Sequence, residues 1–396
     1  MAGISRRVAA ITESATLAVD NQARALRAAG HSIISFGAGE PDFPTPPHIV
    51  EAAGRACEDP KAHHYTPATG LPELRAAVAE RRRLDTGQEL SPEQVLITVG
   101  TKQAVAWAFA TLLDPGDEVL IPAPYWVTFP EAVTLAGGRP VPVLGDAEDG
   151  FRITVDRLQA ATTPATKALL LNSPTNPTGL VYRRDELEAI GRWALEAGIW
   201  VVADEIYQDL TYGDHRFHSL AAVVPELADR ILTLGGVAKS YAMTGWRIGW
   251  LLGAAPVVRA AGNLHSHLSG NASNVAQFAA LAALQGPREP LEAMRAAFDR
   301  RRREIHRRLD AMPGVTCREP EGAFYVFASF EAVLAAGAGG PGPRTTQELA
   351  AALLDEVGVA IVPGEAFGVP GYARLSYALS DEALTEGLDR LATFLG

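Results

Sequence analysis

Lys239 lies in the stretch GGVAKSYAMTGWRIGW, residues 235–250, with small residues before it, an aromatic turn after it, and Arg247 eight positions downstream. An amine that condenses with a carbonyl compound must sit where that compound can approach it, and Gly235, Gly236, Ala238 and Ser240 keep the surroundings free of bulk. Arg247 is placed to hold an anionic group such as a phosphate. A lone loop lysine is otherwise an ordinary solvated cation. What distinguishes Lys239 is its company.

Pyridoxal phosphate needs four services from a protein: a Schiff-base lysine, an anion that keeps its ring nitrogen protonated, donors for its phenolate oxygen, and a phosphate cradle. Lys239 is the candidate for the first. Asp204 ends the apolar run IWVVA, where a buried carboxylate can face a ring cation; a helix N-cap after a strand is the competing reading. Tyr207, three residues on, shares a face with Asp204 if the turn is helical, and its hydroxyl can donate. Asn176 in NSPTNPTG can donate as well, the Asn-Pro bond being open to a cis form, although these are also plain turn residues. Gly100, Thr101 and Lys102 open a helix and offer backbone N–H groups and a dipole to a phosphate. Trp126, in PAPYWVT, either stacks on a ring or joins the ordinary core.

These residues need strands to carry them. QVLITVG (94–100) reads as a strand feeding a helix at KQAVAWAFATLL (102–113). Further strands are expected in DEVLIPAPYW (117–126), KALLLNSPTNPTG (167–179) and GIWVVADEIY (198–207). Each ends in polar residues, and the carboxyl ends of strands are where open α/β sheets bind ligands. Alternating strands and helices imply an α/β domain with a largely parallel sheet. After residue 286 the pattern changes to a long charged helix from about Leu291, then GAFYVFASF (322–330), a Gly/Pro-rich surface loop at 335–346, a helix at 347–357, and strands VAIVPG (359–364) and ARLSYAL (373–379). That is an α+β pattern, on which the first 45 or so residues are expected to pack.

A chain of 396 residues exceeds what one core holds, so two domains are expected. A hydrophobic share of 47% and a charged share of 20% are globular values. A net charge of −11 argues against nucleic acid as a partner. The basic run RRREIHRRL (301–309) is expected to be a solvated helix face. Cys57 and Cys317 stand far apart, in neither a disulfide framework nor a zinc pattern, which suits a reducing cytoplasm. The amino terminus lacks the apolar core of a secretory signal, and no apolar run reaches membrane-spanning length.

SATLAV, FGAGEPDFPTP, YTPATGLPELR, LDPGDEVLIPAPYW, NSPTNPTG, ADEIY, AKSYAMTGWRIGW, EGAFY, VPGEAFG and RLSYA occur in that order along the chain. In them the sequence resembles, over nearly its full length, the class I aminotransferases of the fold-type I pyridoxal-phosphate enzymes, above all the bacterial aspartate aminotransferase group. The resemblance implies an α/β fold: a large domain, residues 46–286, with a mostly parallel seven-stranded sheet flanked by helices, and a smaller α+β domain, residues 1–45 and 287–396, that closes over substrate.

By the same resemblance, Lys239 carries the cofactor and moves the proton. Asp204 pairs with the ring nitrogen, Tyr207 and Asn176 with the phenolate oxygen, and Trp126 stacks. Arg247 and the backbone at Gly100, Thr101 and Lys102 hold the phosphate, and Tyr65 reaches the phosphate of the neighbouring subunit in a homodimer with shared sites. Arg374 clamps the substrate α-carboxylate, where a lone strand arginine would otherwise be paired at the surface, with the Gly39 N–H nearby. Lys102 draws in a distal carboxylate, which makes aspartate and glutamate, with their 2-oxo acids, the leading substrates. Aromatic, prephenate-type or specialised substrates, or a lyase reaction, are the alternatives. Three departures stand out: Gly236 where many relatives have Ser or Thr, Thr101 where a second glycine is common, and Thr12 where some have a basic residue. HSHLSGNASN (265–274) is expected at a subunit boundary, with Gly270 where relatives carry a hydroxyl.

Overall fold

Apolar runs with no polar alternation demand burial on both faces, and the computed structural model, which describes residues 3–337 and 342–396, places them in one central sheet. Its strands are β1 (Val95–Thr98), β2 (Glu118–Ala123), β3 (Arg139–Leu144), β4 (Thr166–Asn172), β5 (Trp200–Asp204), β6 (Ile231–Gly236) and β7 (Gly249–Leu252). Across the sheet the order is β1-β7-β6-β5-β4-β2-β3. Only β7 runs antiparallel to its neighbours; the other pairs are parallel. The seven-stranded, mostly parallel sheet is therefore as expected.

Period-two alternation divides the central strands β4 and β5 between two cores. Leu170, Val202 and Leu234 face the helix Thr101–Leu112 and pack with Ala104, Ala108 and Phe109. Leu169, Leu171, Val201 and Ala203 face the helix Arg184–Glu196, against Leu187, Ile190 and Ala194. Both sets are buried, so truncating Leu170 to alanine is expected to cost about 2–5 kcal/mol.

A second, antiparallel sheet lies in the last third of the chain. Tyr372–Ser376 runs between Val362–Pro363 and Tyr325–Ser329, with Thr316–Cys317 at the far edge. Helices Glu289–Asp310, Thr346–Val357 and Asp381–Leu395 cover it through Phe298, Ile305, Leu349, Leu353, Leu388 and Leu391. The amino-terminal segment joins this unit: Ile34–Ser35 pairs in parallel with Val359–Ala360, and Phe36 is fully buried in the same core.

Three expectations need correction. VAIVPG is not one strand: Val359–Ala360 pairs with Ile34–Ser35 while Val362–Pro363 joins the antiparallel sheet, the chain changing partners at Ile361. The loop expected at 335–346 is shorter, because helix Glu331–Gly337 takes its start and helix Thr346–Val357 its last residue; 338–341 lie outside the described residues. Nor is RRREIHRRL simply solvated. Arg301 and Arg302 are buried, pairing with Asp42 and Asp381 and with Asp299 and Glu319 respectively, while Arg303 and Arg307 face water. Asp42, Asp381 and Glu319, on other segments and invisible in a local reading, draw the two arginines inward, with Asp299 of the same helix assisting Arg302.

Among the described residues no helix is long and apolar enough to cross a membrane, and no cluster of His, Cys, Asp or Glu has metal-binding geometry. Both cysteines are free.

Candidate active site

The carboxyl ends of β4, β5 and β6 open into a cavity of about 400 Å³ between the two sheets. Asp204 is the last residue of β5 and is 3% exposed. Its Oδ1 accepts from the Ile206 N–H at 3.1 Å and braces a turn; no helix starts here, so the competing reading of a helix N-cap is not met, and the carboxylate faces the cavity. Burial pushes this carboxyl up to about 7; the Ile206 N–H opposes the shift, the Glu205 charge adds to it, and Lys239 draws it back. A carboxylate so poised needs a cation beside it.

Lys239 follows β6, and its Nζ donates to the Gly39 carbonyl and lies 5.8 Å from the centre of the Phe324 ring. Burial lowers its amine to about 8; Glu40 opposes this, and Arg374 and Arg247 push the same way as burial. Tyr207 is buried with its hydroxyl 3.0 Å from that of Tyr325, and burial holds the phenol well above its ordinary range, as a neutral donor. Asn176, preceding a cis proline, is fixed by its own N–H donating to Asn172 Oδ1 at 2.9 Å, while Asn172 Nδ2 ties back to the Asp204 carbonyl at 2.9 Å.

Arg374 enters from the antiparallel sheet and is 1% exposed. It donates to the Gly37 carbonyl at 2.7 Å and to Asn176 Oδ1 at 3.1 Å, and its guanidinium lies 4.4 Å from the Tyr325 ring centre. Its Nε has no partner, and among the described residues it forms no ion pair. The surface-paired arginine is thereby ruled out. A buried guanidinium with no carboxylate in ion-pair contact, only Asp20 on the cavity wall near enough for the charges to attract, is costly and calls for an anion from outside. Gly39 lines the cavity too, but it presents its carbonyl to Lys239, and the carbonyl that meets Arg374 belongs to Gly37.

At the other end, Gly100 precedes the first turn of helix Thr101–Leu112 with φ +75°. A Cβ there would meet Arg247 Nη2 at 2.5 Å, so only glycine lets the guanidinium lie against the helix start. Arg247 itself is held in the left-handed region, φ 58°, with Nη1 donating to the Thr244 carbonyl at 2.8 Å. Two of the sequence departures are one arrangement here. A Cβ on Gly236 would come within 2.9 Å of Thr101 Oγ1, so the threonine hydroxyl occupies the space a side chain at 236 would need. Thr12 stands apart, donating to Glu131 Oε1 at 2.9 Å.

Trp126 lines the cavity, with Lys102 Nζ 5.1 Å from its ring centre; burial first, then Arg247, lowers the Lys102 amine. Tyr65 does not line this cavity: it is 98% exposed on the outer surface. The sequence reading missed the helix Ala15–Ala28, which contributes Thr16, Leu17, Asp20 and Arg24 to the wall. Thr16, Asp20 and Arg24 recur at four-residue spacing, a polar stripe that was the available signal. Glu40, Thr244 and Tyr325 were also missed.

The donor set suits pyridoxal phosphate on its own terms. It has a buried carboxylate for a ring cation, an amine of lowered basicity, two neutral donors on one side, and a cradle of helix start and arginine that a Cβ would fill. The sequence model of the family described as aminotransferase class I and II matches residues 31–391. The chain is 58% identical to an aspartate aminotransferase of Streptomyces avermitilis, over 99% of its own length and 96% of the relative's. It is 44% identical to an aspartate/prephenate aminotransferase of Cereibacter sphaeroides, over 100% and 99% of the two chains. The structure of Thermus thermophilus aspartate aminotransferase with maleate superposes with a TM-score of 0.93 at 42% identity, covering all of both chains. With that fold, that cavity and those relatives, the chain belongs to the class I and II aminotransferases, enzymes that depend on pyridoxal phosphate.

Proposed function

We propose that the protein moves an amino group between L-aspartate or L-glutamate and the corresponding 2-oxo acids, oxaloacetate and 2-oxoglutarate, in two successive half-reactions at this cavity. The observation that carries the reading is the buried Arg374, which has no carboxylate partner and faces the same cavity as the Lys239 amine. When bound, pyridoxal phosphate supplies a carbonyl for the amine and a cationic ring that takes up the electron pair of the broken Cα–H bond. Lys239 Nζ would be the amine that holds that carbonyl, and as a free amine it would take up the substrate α-proton and give it back. Asp204 would hold a negative charge against the ring nitrogen. Tyr207 and Asn176 would donate to the phenolate oxygen, and Trp126 would cover the ring.

Arg247 and the N–H groups around Gly100–Lys102 would hold the phosphate. Arg374 clamps the α-carboxylate bidentately, and Lys102 attracts the distal one. Residues 46–286 form the unit that keeps the cofactor, and 1–45 with 287–396 close over substrate and exclude water. The exposed Tyr65 completes the phosphate site of a second copy, with 265–274 near the boundary of a cytoplasmic homodimer. A second reading takes prephenate as an acceptor, and the Cereibacter relative's name favours it.

The test is amino transfer by the purified holoenzyme. Aspartate should bleach the carbonyl form of the cofactor and 2-oxoglutarate should restore it, whereas alanine and phenylalanine should act at least about tenfold more slowly. Equal rates for all three amino acids would overturn the dicarboxylate assignment; prephenate restoring the band as fast as 2-oxoglutarate would establish the second reading.

A further inference from the structure

Behind the cavity, away from the space open to substrate, the chain buries a second carboxylate next to the first. Glu205 follows Asp204 directly and is 4% exposed, its N–H donating to the Leu234 carbonyl at 3.0 Å. Arg82, 5% exposed, reaches it from the last turns of the helix Pro72–Thr86, Nη1 lying 2.6 Å from Glu205 Oε2. Ser219 bridges the pair, donating to Glu205 Oε1 at 3.0 Å and accepting from Arg82 Nη2. Gln88 and Gln208 accept from the same guanidinium at 3.0 and 3.3 Å. Neither Arg82 nor Glu205 lines the cavity, so neither touches substrate or cofactor.

We infer that Arg82 is a positioning residue for the cofactor: by neutralising Glu205, it lets the adjacent Asp204 carry the negative charge that a bound ring cation requires. The inference rests on the reading of Asp204 as the ring-nitrogen partner. Two successive buried carboxylates repel, and with Glu205 bare the cheaper state is a neutral Asp204, which offers a ring nitrogen no counter-charge. The direction of the Glu205 effect on Asp204 is upward, in line with this. The other charged or titratable groups facing Asp204 are Lys239, beyond β6, and Tyr207 on its own turn, with Arg374 acting on Tyr207. Asp85, which accepts from Gln208 Nε2 at 3.3 Å, is held by Arg81 at 2.5 Å and approached by Arg288 at 3.8 Å, so it leaves Arg82 to Glu205.

A merely structural ion pair and a charge-setting one make different forecasts for its two halves. Arg82→Met leaves a bare anion beside Asp204, whereas Glu205→Gln leaves a bare cation. The measurement is pyridoxal phosphate affinity of the cofactor-stripped full chain against pH, with melting temperature recorded for each variant. Titration of the cofactor itself is common to all variants and cancels. The acid limb of the affinity profile should move up by about one pH unit in Arg82→Met, down by about as much in Glu205→Gln, and return near its original place when both changes are combined. Arg82→Lys should keep the original limb, and together with Glu205→Gln it decides the matter if Arg82→Met does not fold. Limbs that move the same way in both single variants, or do not move, overturn the inference. An Asp204→Asn variant separates the two levels: if it keeps the acid limb, the reading of Asp204 fails rather than the role of Arg82.

Discussion

On the floor of the cavity Asp204, Asn176, Tyr207 and Arg374 are all buried, and each is held by a named hydrogen bond. On the rim Lys102 and Arg24 are exposed, and among the described residues neither forms an ion pair. Charges on the floor act through a low-dielectric interior and cannot relax away, whereas those on the rim are shared with water and salt. On the proposed function, the floor groups would set the reaction type and their loss should be severe, whereas the rim groups would set the choice among amino acids and their loss should be mild. One half can drift without disturbing the other.

The floor is the place to break this contrast. Lys239→Ala should lower turnover by about 10⁵-fold or more, because no other amine lies in the cavity wall beside it except the rim Lys102. Single-turnover amino transfer measures it; residual turnover within a hundredfold of the original would transfer the role elsewhere. Asp204→Ala should cost about 10²–10³-fold in the rate of α-proton removal, read as a deuterium isotope effect on the half-reaction, with substrate affinity much less changed. Arg374→Lys retains the charge but loses the fork that spans Gly37 and Asn176. It should lower kcat/KM about 10²-fold for aspartate and for alanine alike, since both present the same α-carboxylate. A loss confined to aspartate would place Arg374 at the distal carboxylate instead.

The two buried ends of the floor also give opposite pH signatures without cofactor. The unfolded chain keeps the Lys239 proton to about 10.5 while the folded chain releases it near 8, so this group adds stability as pH rises between those values. Asp204 ionises near 3.8 when unfolded and near 7 when folded, so its contribution is lost as pH rises across that window. Melting temperatures of the cofactor-free protein should show the alkaline rise flattened in Lys239→Met and the acid-to-neutral fall flattened in Asp204→Asn.

The same division decides what the sequence could disclose. Asp204, Tyr207, Lys239 and Arg247 sit at strand ends and tight turns, where local pattern and chemistry coincide, so their neighbours in the chain are also their neighbours in space. Four strands of the central sheet, β1, β2, β4 and β5, were legible for the same reason, being apolar runs between breakers; β3, which carries the exposed Arg139 and Leu144, and β6 and β7 beside the Lys239 segment were not read from the pattern. Long-range partners were not. Nothing near Arg301 foretells Asp42, nothing near Arg82 foretells Glu205, and Ile361 switches sheets because Ile34–Ser35 arrives from the far end of the chain. Arg24 was hidden for a plainer reason. Its helix was not read from the sequence at all, and only the fold turns Thr16, Asp20 and Arg24 toward the cavity.

The smallest effect is therefore expected on the rim, and it sharpens the contrast most. Lys102 lies against Trp126, and Arg24 stands across the cavity wall one helical turn from Asp20. Lys102→Ala should lower kcat/KM for aspartate about tenfold and leave alanine within about twofold, because only the dicarboxylate has a second charge to lose. Arg24→Ala should act in the same direction and more weakly, as Asp20 already offsets part of its field. Raising salt from about 0.05 M to about 0.5 M should erase most of the difference between these variants and the parent, since exposed charges are screened within a Debye length. The Arg374→Lys deficit should survive the same salt. A deficit of Lys102→Ala that is equally salt-resistant would mean that closure buries the rim, making it part of the floor once substrate is bound.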